Sequence, residues 1–268
     1  MVSRNWYSHP ALITGIAINV FVLSLAVAWS GSESQLSRLL VEDGIVEWMQ
    51  FLTFAMTSVL LGFAALERWK RESKFSFQVL ALSGLCVVVA AAAMEEISWF
   101  QRILQVQSPD FFMQNNRQGE TNLHNLALGN TGSIHKTIML KMILLVGLTH
   151  NLVLPLIARF RPGVRTFVEK FGLYLPPLPA AAIYLVLVIL SHLLIEHPRK
   201  GELGEMFGAV HYMATVFAAY FASCGYGQTV VMEHPADALR MEKLFSAMMV
   251  FLLVTAWLLS AGAGAMVG

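Results

Sequence analysis

Charged residues are scarce in this chain. Asp, Glu, Lys and Arg make up 13% of its 268 residues, whereas soluble domains carry roughly 25%. Because so few charges cannot cover the surface of a protein of this size, most of that surface must face something other than water. The shortage of charge therefore argues against a soluble protein.

Cysteine is also rare, and the two residues present, Cys86 and Cys224, both lie in apolar runs. Two isolated cysteines provide neither a disulfide framework nor a CxxC zinc site. The sequence also lacks a nucleotide-binding glycine pattern, a nucleophile elbow and a CxxCH haem motif. The formal net charge is only +1, so we expect no nucleic-acid partner.

The chain is instead rich in apolar residues, which make up 56% of it and give a mean hydropathy of +0.61. They fall into seven segments, each long enough to cross the roughly 30 Å apolar core of a bilayer as an α-helix. We therefore predict an all-α, polytopic integral membrane protein with one transmembrane domain over residues 1–268. The predicted helices are 11–30, 45–66, 77–99, 137–158, 177–195, 204–224 and 244–264.

Two basic clusters, ERWKRESK and ARFRPGVRTFVEK, predict the orientation of these helices. Lys and Arg are concentrated in cytoplasmic loops, and both clusters lie inside when the N-terminus is cytoplasmic. The C-terminus is then outside, as is a long polar loop, 104–136. The predicted surroundings are the lipid bilayer of a cell inner membrane, crossed several times.

Two adjacent carboxylates, Glu95 and Glu96, stand near the end of the third predicted helix, in the stretch AAAMEEISWFQR. Charge in a membrane helix is costly, and carboxylates near a helix C-terminus oppose the helix dipole, so a compensating group is expected. Arg102 would share the face of Glu95 if the helix continued. We take all three as candidate catalytic residues, with Arg102 orienting a carboxylate or holding a substrate phosphate. The alternative is a structural Glu–Arg pair.

The polar loop contains the stretch GETNLHN, in which Glu120 and His124 are four residues apart. If this stretch is helical, the two side chains share one face, a usual spacing for two metal ligands. A loop of this length is usually functional or disordered, and its aromatic and leucine residues favour a folded segment. The alternative is a polar cap that satisfies helix ends.

The stretch SHLLIEHPRKGELGE places His192 and Glu196 four residues apart, followed by Glu202 and Glu205. Imidazole and carboxylate are the ligands expected for zinc or non-haem iron, which are the metals that this pattern suggests. The alternative is a histidine bonded to a neighbouring helix, followed by a solvated turn. The candidate metal ligands are thus Glu120, His124, His192 and Glu196.

Further ionisable residues occur at and within the predicted helices. Asp43 precedes the second helix, where an acid is favourable, and Glu47 lies deeper in its first turn. His150 and His211 are single imidazoles in apolar helices. Such residues bond to a backbone carbonyl or a partner helix more often than to a metal, because buried polar groups require partners.

The stretch EEISWFQR resembles the glutamate–arginine box of the CAAX-type intramembrane prenyl-protease family, although the spacing to Arg102 is longer here (EExxxxxR, against EExxxR). The resemblance implies a multi-helix membrane enzyme whose paired glutamates, with histidines, activate water. The set EDGxxEW, EExSWxQR and QGETNLHN also resembles one seen in uncharacterised bacterial multi-pass membrane proteins. That second resemblance implies no function.

These patterns leave three functional hypotheses. The first is a membrane enzyme with an outward-facing Glu/His/Arg site, such as a metal-dependent hydrolase of a lipid or lipid-linked substrate. The second is a non-catalytic accessory or assembly subunit of a larger membrane complex, packed through small-residue patches. The third is a transporter of a small ion or solute, since intramembrane acids often mark such pathways. A continuous polar path through His150 would favour the third.

Overall fold

The computed structural model describes residues 9–72, 75–128, 132–134, 138–222 and 235–266. This part of the chain is mostly helical, and its described sheet is a pair of strands of two residues each, which confirms the predicted all-α class. The helices are α1 (Pro10–Trp29), α2 (Glu33–Leu40), α3 (Ile45–Glu72), α4 (Phe77–Glu96), α5 (Gln101–Leu104), α6 (Asp110–Asn115), α7 (Leu140–Leu148), α8 (Leu154–Phe160), α9 (Pro162–Lys170), α10 (Leu178–Leu194), α11 (Gly201–Tyr220) and α12 (Pro235–Met266). The strands are β1 (Ala127–Leu128) and β2 (Gly132–Ser133). A 3₁₀ turn (Ser98–Phe100) follows α4, and a π-helical turn (Thr149–Val153) joins α7 to α8.

Several of these helices are suited to a bilayer. Large apolar side chains such as Phe21, Val87 and Leu193 are exposed on the outside of the bundle, as expected of a surface that contacts lipid. The helical fold therefore suits a membrane protein. Among the residues that the structure describes, four stretches are long and apolar enough to cross a membrane, namely Pro10–Trp29, Glu33–Glu72, Phe77–Glu96 and Arg240–Ala261. Two shorter apolar helices cover Leu144–Phe160 and Leu178–Leu194.

Helix α11 lies at the centre of the bundle, where it contacts α1, α3 and α10. Most of its side chains are buried, and its many small residues let neighbouring helices approach closely. Gly15 of α1 marks one close approach, because a Cβ atom there would lie 3.0 Å from the Cβ of Ala214. The polar residues of α11 are therefore held inside the bundle.

Helix occurs in each of the seven predicted segments, but the ends differ by several residues. The third helix ends at Glu96 and not at 99, the sixth begins at Gly201, and the seventh begins as early as Pro235. The π-helical turn interrupts the fourth. Hydropathy locates the apolar centre of each helix, whereas its polar ends depend on capping contacts that the apolar pattern does not encode.

The predicted loop 104–136 is folded where the structure describes it. It contains α6 and the β1–β2 hairpin, and Asn116 is bridged to Leu126. Residues 120–125 form turns, so the prediction that Glu120 and His124 share a helical face is wrong. The Asn116 side chain accepts from the amide of Glu120, and such local bonds compete with a helix.

Candidate functional site

An unusual turn follows α4. Ser98, Trp99 and Phe100 have φ values of 47°, 56° and 61°, in the left-handed region that non-glycine residues avoid at a cost of about 1–3 kcal/mol each. Because the helix does not continue through this turn, the condition under which Arg102 would share the face of Glu95 is not met. The turn requires strong local contacts to maintain it.

Glu95 supplies one set of these contacts. It is 8% exposed, and its Oε1 accepts from the indole Nε1 of Trp99 at 2.8 Å. Its Oε2 accepts from the backbone amides of Leu123 (2.7 Å) and His124 (3.1 Å). The Nδ1 atom of His124 lies 3.5 Å from the same oxygen. Oε1 of Glu95 thus holds the left-handed turn, and Oε2 docks the loop on the end of α4.

Glu120 supplies the second set from the loop side. Its Oε2 accepts from the hydroxyl of Ser98 at 2.5 Å and from the Nδ2 of Asn122 at 3.1 Å. Asn122 also donates to Ser98 at 2.8 Å, and all three side chains are buried. Glu95 and Glu120 therefore fasten the left-handed turn and the loop to each other, which is a structural task.

The four predicted metal ligands are not assembled into one site. His192 donates from Nδ1 to the carbonyl of Val188 at 3.0 Å and is exposed, and Glu196 lies exposed beyond the end of α10. The two side chains do not share one helical face, because α10 ends at Leu194, before Glu196. Among the described residues, no group of three or more His, Cys, Asp or Glu side chains could hold a metal ion.

The remaining candidate catalytic residue, Arg102, belongs to α5, but its side chain lies outside the described part of the structure. The acids around the start of α3 make structural contacts. Glu47 accepts a hydrogen bond from the amide of Asp43, just before the helix begins, and Glu42 pairs with Arg199 at 2.6 Å.

Glu96 has a different environment from that of Glu95. It faces Glu47 of α3 and Glu202 and Glu205 of α11, all within electrostatic range, and each of the four is half-buried. We call these four residues the glutamate cluster. It gathers carboxylates from three helices at the end of the bundle where α3 and α11 begin and α4 ends.

Gln50 connects the members of the glutamate cluster. Its side chain is 1% exposed, hydrogen bonds to Glu96 and donates from Nε2 to Glu205 at 3.4 Å. Its Oε1 is buried and has no hydrogen-bond partner among the described residues. A buried amide oxygen beside carboxylates makes this end of the bundle rich in acceptors.

Tyr184 of α10 lies next to the cluster. It is within electrostatic range of Glu205, and its ring stacks on the imidazole of His211 with centroids 5.1 Å apart. Gly208 makes room for it, because a Cβ atom there would be 3.1 Å from the Tyr184 hydroxyl. Tyr184 therefore stands between the glutamate cluster and the interior of the bundle.

His211 continues inward from Tyr184. Its Nε2 is 3.0 Å from the Oδ1 of Asn151, while the Asn151 Nδ2 donates to the carbonyl of Gly147 at 2.9 Å. Because the Asn151 amide is oriented by Gly147, its Oδ1 must accept, and His211 Nε2 carries the proton. Asn151 belongs to the π-helical turn, a feature found frequently at functional sites.

His150, also in the π-helical turn, continues toward the opposite end of α11. Its Nε2 donates to the carbonyl of Tyr174 at 2.9 Å, and the Tyr174 hydroxyl is 2.8 Å from the hydroxyl of Thr215. The Tyr220 hydroxyl donates to the carbonyl of Gly172 at 2.8 Å. The prediction that His150 and His211 bond to a carbonyl and a partner helix is confirmed.

Together these side chains form a file of polar groups inside the bundle, which we call the polar file. It runs beside α11 from the glutamate cluster to Tyr220, a rise of about 27 Å for eighteen helical residues. Its members are Tyr184, His211, Asn151, His150, Tyr174, Thr215 and Tyr220.

Sequence reasoning treated the histidines of the polar file singly and missed the file itself. One signal could have revealed part of it, since Gly204, Gly208, His211 and Thr215 recur at helical spacing on α11. That pattern predicts a face made of polar and small residues. Tyr174, which lies before the start of α10, carries no comparable signal.

Comparison with known proteins adds no assignment. No family model, curated protein or solved structure matches this chain.

Proposed function

We propose that this chain is a multi-pass inner-membrane protein that passes protons between its glutamate cluster and the far end of the polar file. In this proposal seven helical segments cross the bilayer, namely α1, α3, α4, α7 with α8, α10, α11 and α12. The N-terminus is cytoplasmic, as the basic clusters suggest. The glutamate cluster then lies at the outer side and Tyr220 at the inner side.

The single observation that carries the proposal is the polar file. Chains of Asp, Glu and His inside membrane proteins act as proton relays, and carboxyl, imidazole and hydroxyl groups both accept and donate protons. From Glu202 to Tyr220, the glutamate cluster and the polar file together extend about 27 Å along α11, close to the roughly 30 Å thickness of the apolar core. Its His211 is 7% exposed, and Thr215, Tyr174 and Tyr220 are 2% exposed or less.

The small size of the crevice beside the polar file favours a proton over a larger ion or solute. The crevice beside His211 and Tyr184 has enclosed room for about one water molecule. A hydrated ion needs a wider path or a ring of ligands that replaces its water shell. Protons need neither, because they move between neighbouring hydrogen-bonding groups.

The hydrolase hypothesis has less geometric support. It requires Glu95, Glu120 and His124 to surround a common space, whereas Glu95 and Glu120 are hydrogen bonded to the turn and the loop. It stays a prediction, and metal analysis of the wild type and of a Glu95→Gln/His124→Ala variant tests it. The accessory-subunit hypothesis likewise stays a prediction, since nothing described here favours a particular partner.

Proton flux in liposomes tests the proposed function. The purified protein is reconstituted with a trapped pH-sensitive dye, and a potassium gradient with valinomycin sets the membrane potential. We expect flux above that of empty liposomes, and a decrease of at least about tenfold in His211→Ala, equivalent to about 1.4 kcal/mol in the transfer barrier.

His192→Ala is the matched control for this experiment. His192 lies on α10 near the glutamate cluster, but it is exposed, and among the described residues its imidazole hydrogen bonds only within its own helix. Its loss should leave the flux unchanged. Absence of flux from the wild type, or equal flux in the two histidine variants, would refute the proposed function.

A further inference from the structure

We propose that the crevice between α1, α10 and α11 binds one ordered water molecule, held by Asn19 and completing the contact between Tyr184 and His211. The crevice is small, with room for about one water molecule, and most of its lining is apolar. Three polar side chains also line it, and these are Asn19, Tyr184 and His211.

The first reason to place a water molecule in the crevice is the unpartnered amide oxygen of Asn19. Asn19 is 2% exposed, and its Nδ2 donates to the carbonyl of Phe207 at 3.1 Å, which orients the amide. Its Oδ1 is buried and has no hydrogen-bond partner among the described residues. Because an unsatisfied buried acceptor is unfavourable, a donor is required at this position.

The size and lining of the crevice indicate what that donor is. Its enclosed room suits about one water molecule, and an apolar occupant such as an acyl chain would leave the Asn19 oxygen unsatisfied. Water is the small ligand that can donate to Asn19 and still bond to a neighbouring imidazole or hydroxyl. Buried water typically makes about three such bonds.

The second reason to place a water molecule here is that the polar file has a gap between Tyr184 and His211. Tyr184 and His211 are stacked ring on ring, and no hydrogen bond joins these two side chains in the described structure. Since Nε2 of His211 is used by Asn151, its Nδ1 is the acceptor that remains. A water molecule in the crevice supplies the missing link, so Asn19 is a positioning residue of the polar file.

The existence of this water does not depend on proton transfer, whereas its role in the file rests on the proposed function. The first test is a structure of the wild-type protein at a resolution that shows ordered solvent. Density for one water within hydrogen-bond distance of Asn19 Oδ1 and of Tyr184 or His211 is expected. An empty crevice, or density for an acyl chain, would overturn the inference.

A second test works on intact protein in membranes. X-ray irradiation splits bound water into hydroxyl radicals that oxidise adjacent side chains, and mass spectrometry measures the oxidation of Tyr184. We expect severalfold less oxidation in Asn19→Leu than in the wild type. Thr14→Val is the control, because Thr14 lies on the same helix but pairs with Ser246 at 2.8 Å.

The flux assay separates this inference from the proposed function. If the wild type conducts protons, Asn19→Leu should lower the flux severalfold and Asn19→Ser, which keeps an acceptor, should retain more of it. If the wild type conducts nothing, the proposed function fails, and the solvent density and the oxidation of Tyr184 still decide the water site. Unchanged oxidation of Tyr184 in a folded Asn19→Leu protein would refute that site.

Discussion

Replacing Glu95 by Gln should release the loop that follows α4 while leaving the bundle folded. Glu95 Oε2 accepts from the amides of Leu123 and His124, and Oε1 accepts from the indole of Trp99. Glutamine has nearly the same shape but only one acceptor oxygen. It can therefore satisfy either the two amides or the indole, and the other donor faces an NH₂ group.

The size of the effect follows from these contacts. A hydrogen bond to a charged group contributes about 1.5–3 kcal/mol, and a buried donor left without a partner costs about 1–3 kcal/mol. We expect the docked state of the loop to lose about 2 kcal/mol, which is roughly a thirtyfold increase in the fraction of time it is open. The left-handed turn at Ser98 should become less protected as well, since Trp99 belongs to it.

Hydrogen–deuterium exchange of the loop amides measures this opening. The amides of Leu123 and His124 should exchange roughly thirtyfold faster in Glu95→Gln. Glu96→Gln is the matched control, because Glu96 faces the glutamate cluster and not the loop, so exchange at Leu123 should stay as in the wild type. Equal exchange rates in the two variants would refute the assignment of separate roles to the adjacent glutamates.

Two glycine comparisons test the packing around α11. Gly204→Ala should be tolerated or stabilise the helix by up to about 1 kcal/mol, because the added Cβ lies 3.5 Å from its nearest neighbour. Gly208→Ala should lower proton flux, because the added Cβ lies 3.1 Å from the Tyr184 hydroxyl and displaces it. Equal flux in the two variants would contradict this reasoning. Gly15→Ala places a methyl 3.0 Å from Ala214 and should cost about 1–3 kcal/mol, seen as a lower thermal unfolding midpoint in detergent. An unchanged midpoint would argue against the close approach of α1 and α11.

Much of the helical framework could be predicted because it depends on local composition. A run of about 20 apolar residues is helical in a bilayer whatever lies beside it, since every backbone group must be satisfied within the segment. The helix ends were less predictable, as the early end of α4 shows. There the side chains of Glu95 and Glu120 fasten a left-handed turn, and the second of these residues is distant in the sequence.

The candidate site could be predicted only in part, and Glu95 with Glu96 shows why. The sequence by itself determined that two carboxylates stand at the end of an apolar helix, and that they need compensation. Adjacent helical residues point about 100° apart, so one reaches the loop and the other reaches α3 and α11. Only the tertiary structure decided which glutamate contacts the loop and which faces α3 and α11, because the partners of both come from segments remote along the chain. The polar file has the same origin, since its hydrogen bonds join α11, the π-helical turn and the segment before α10, which no local pattern relates.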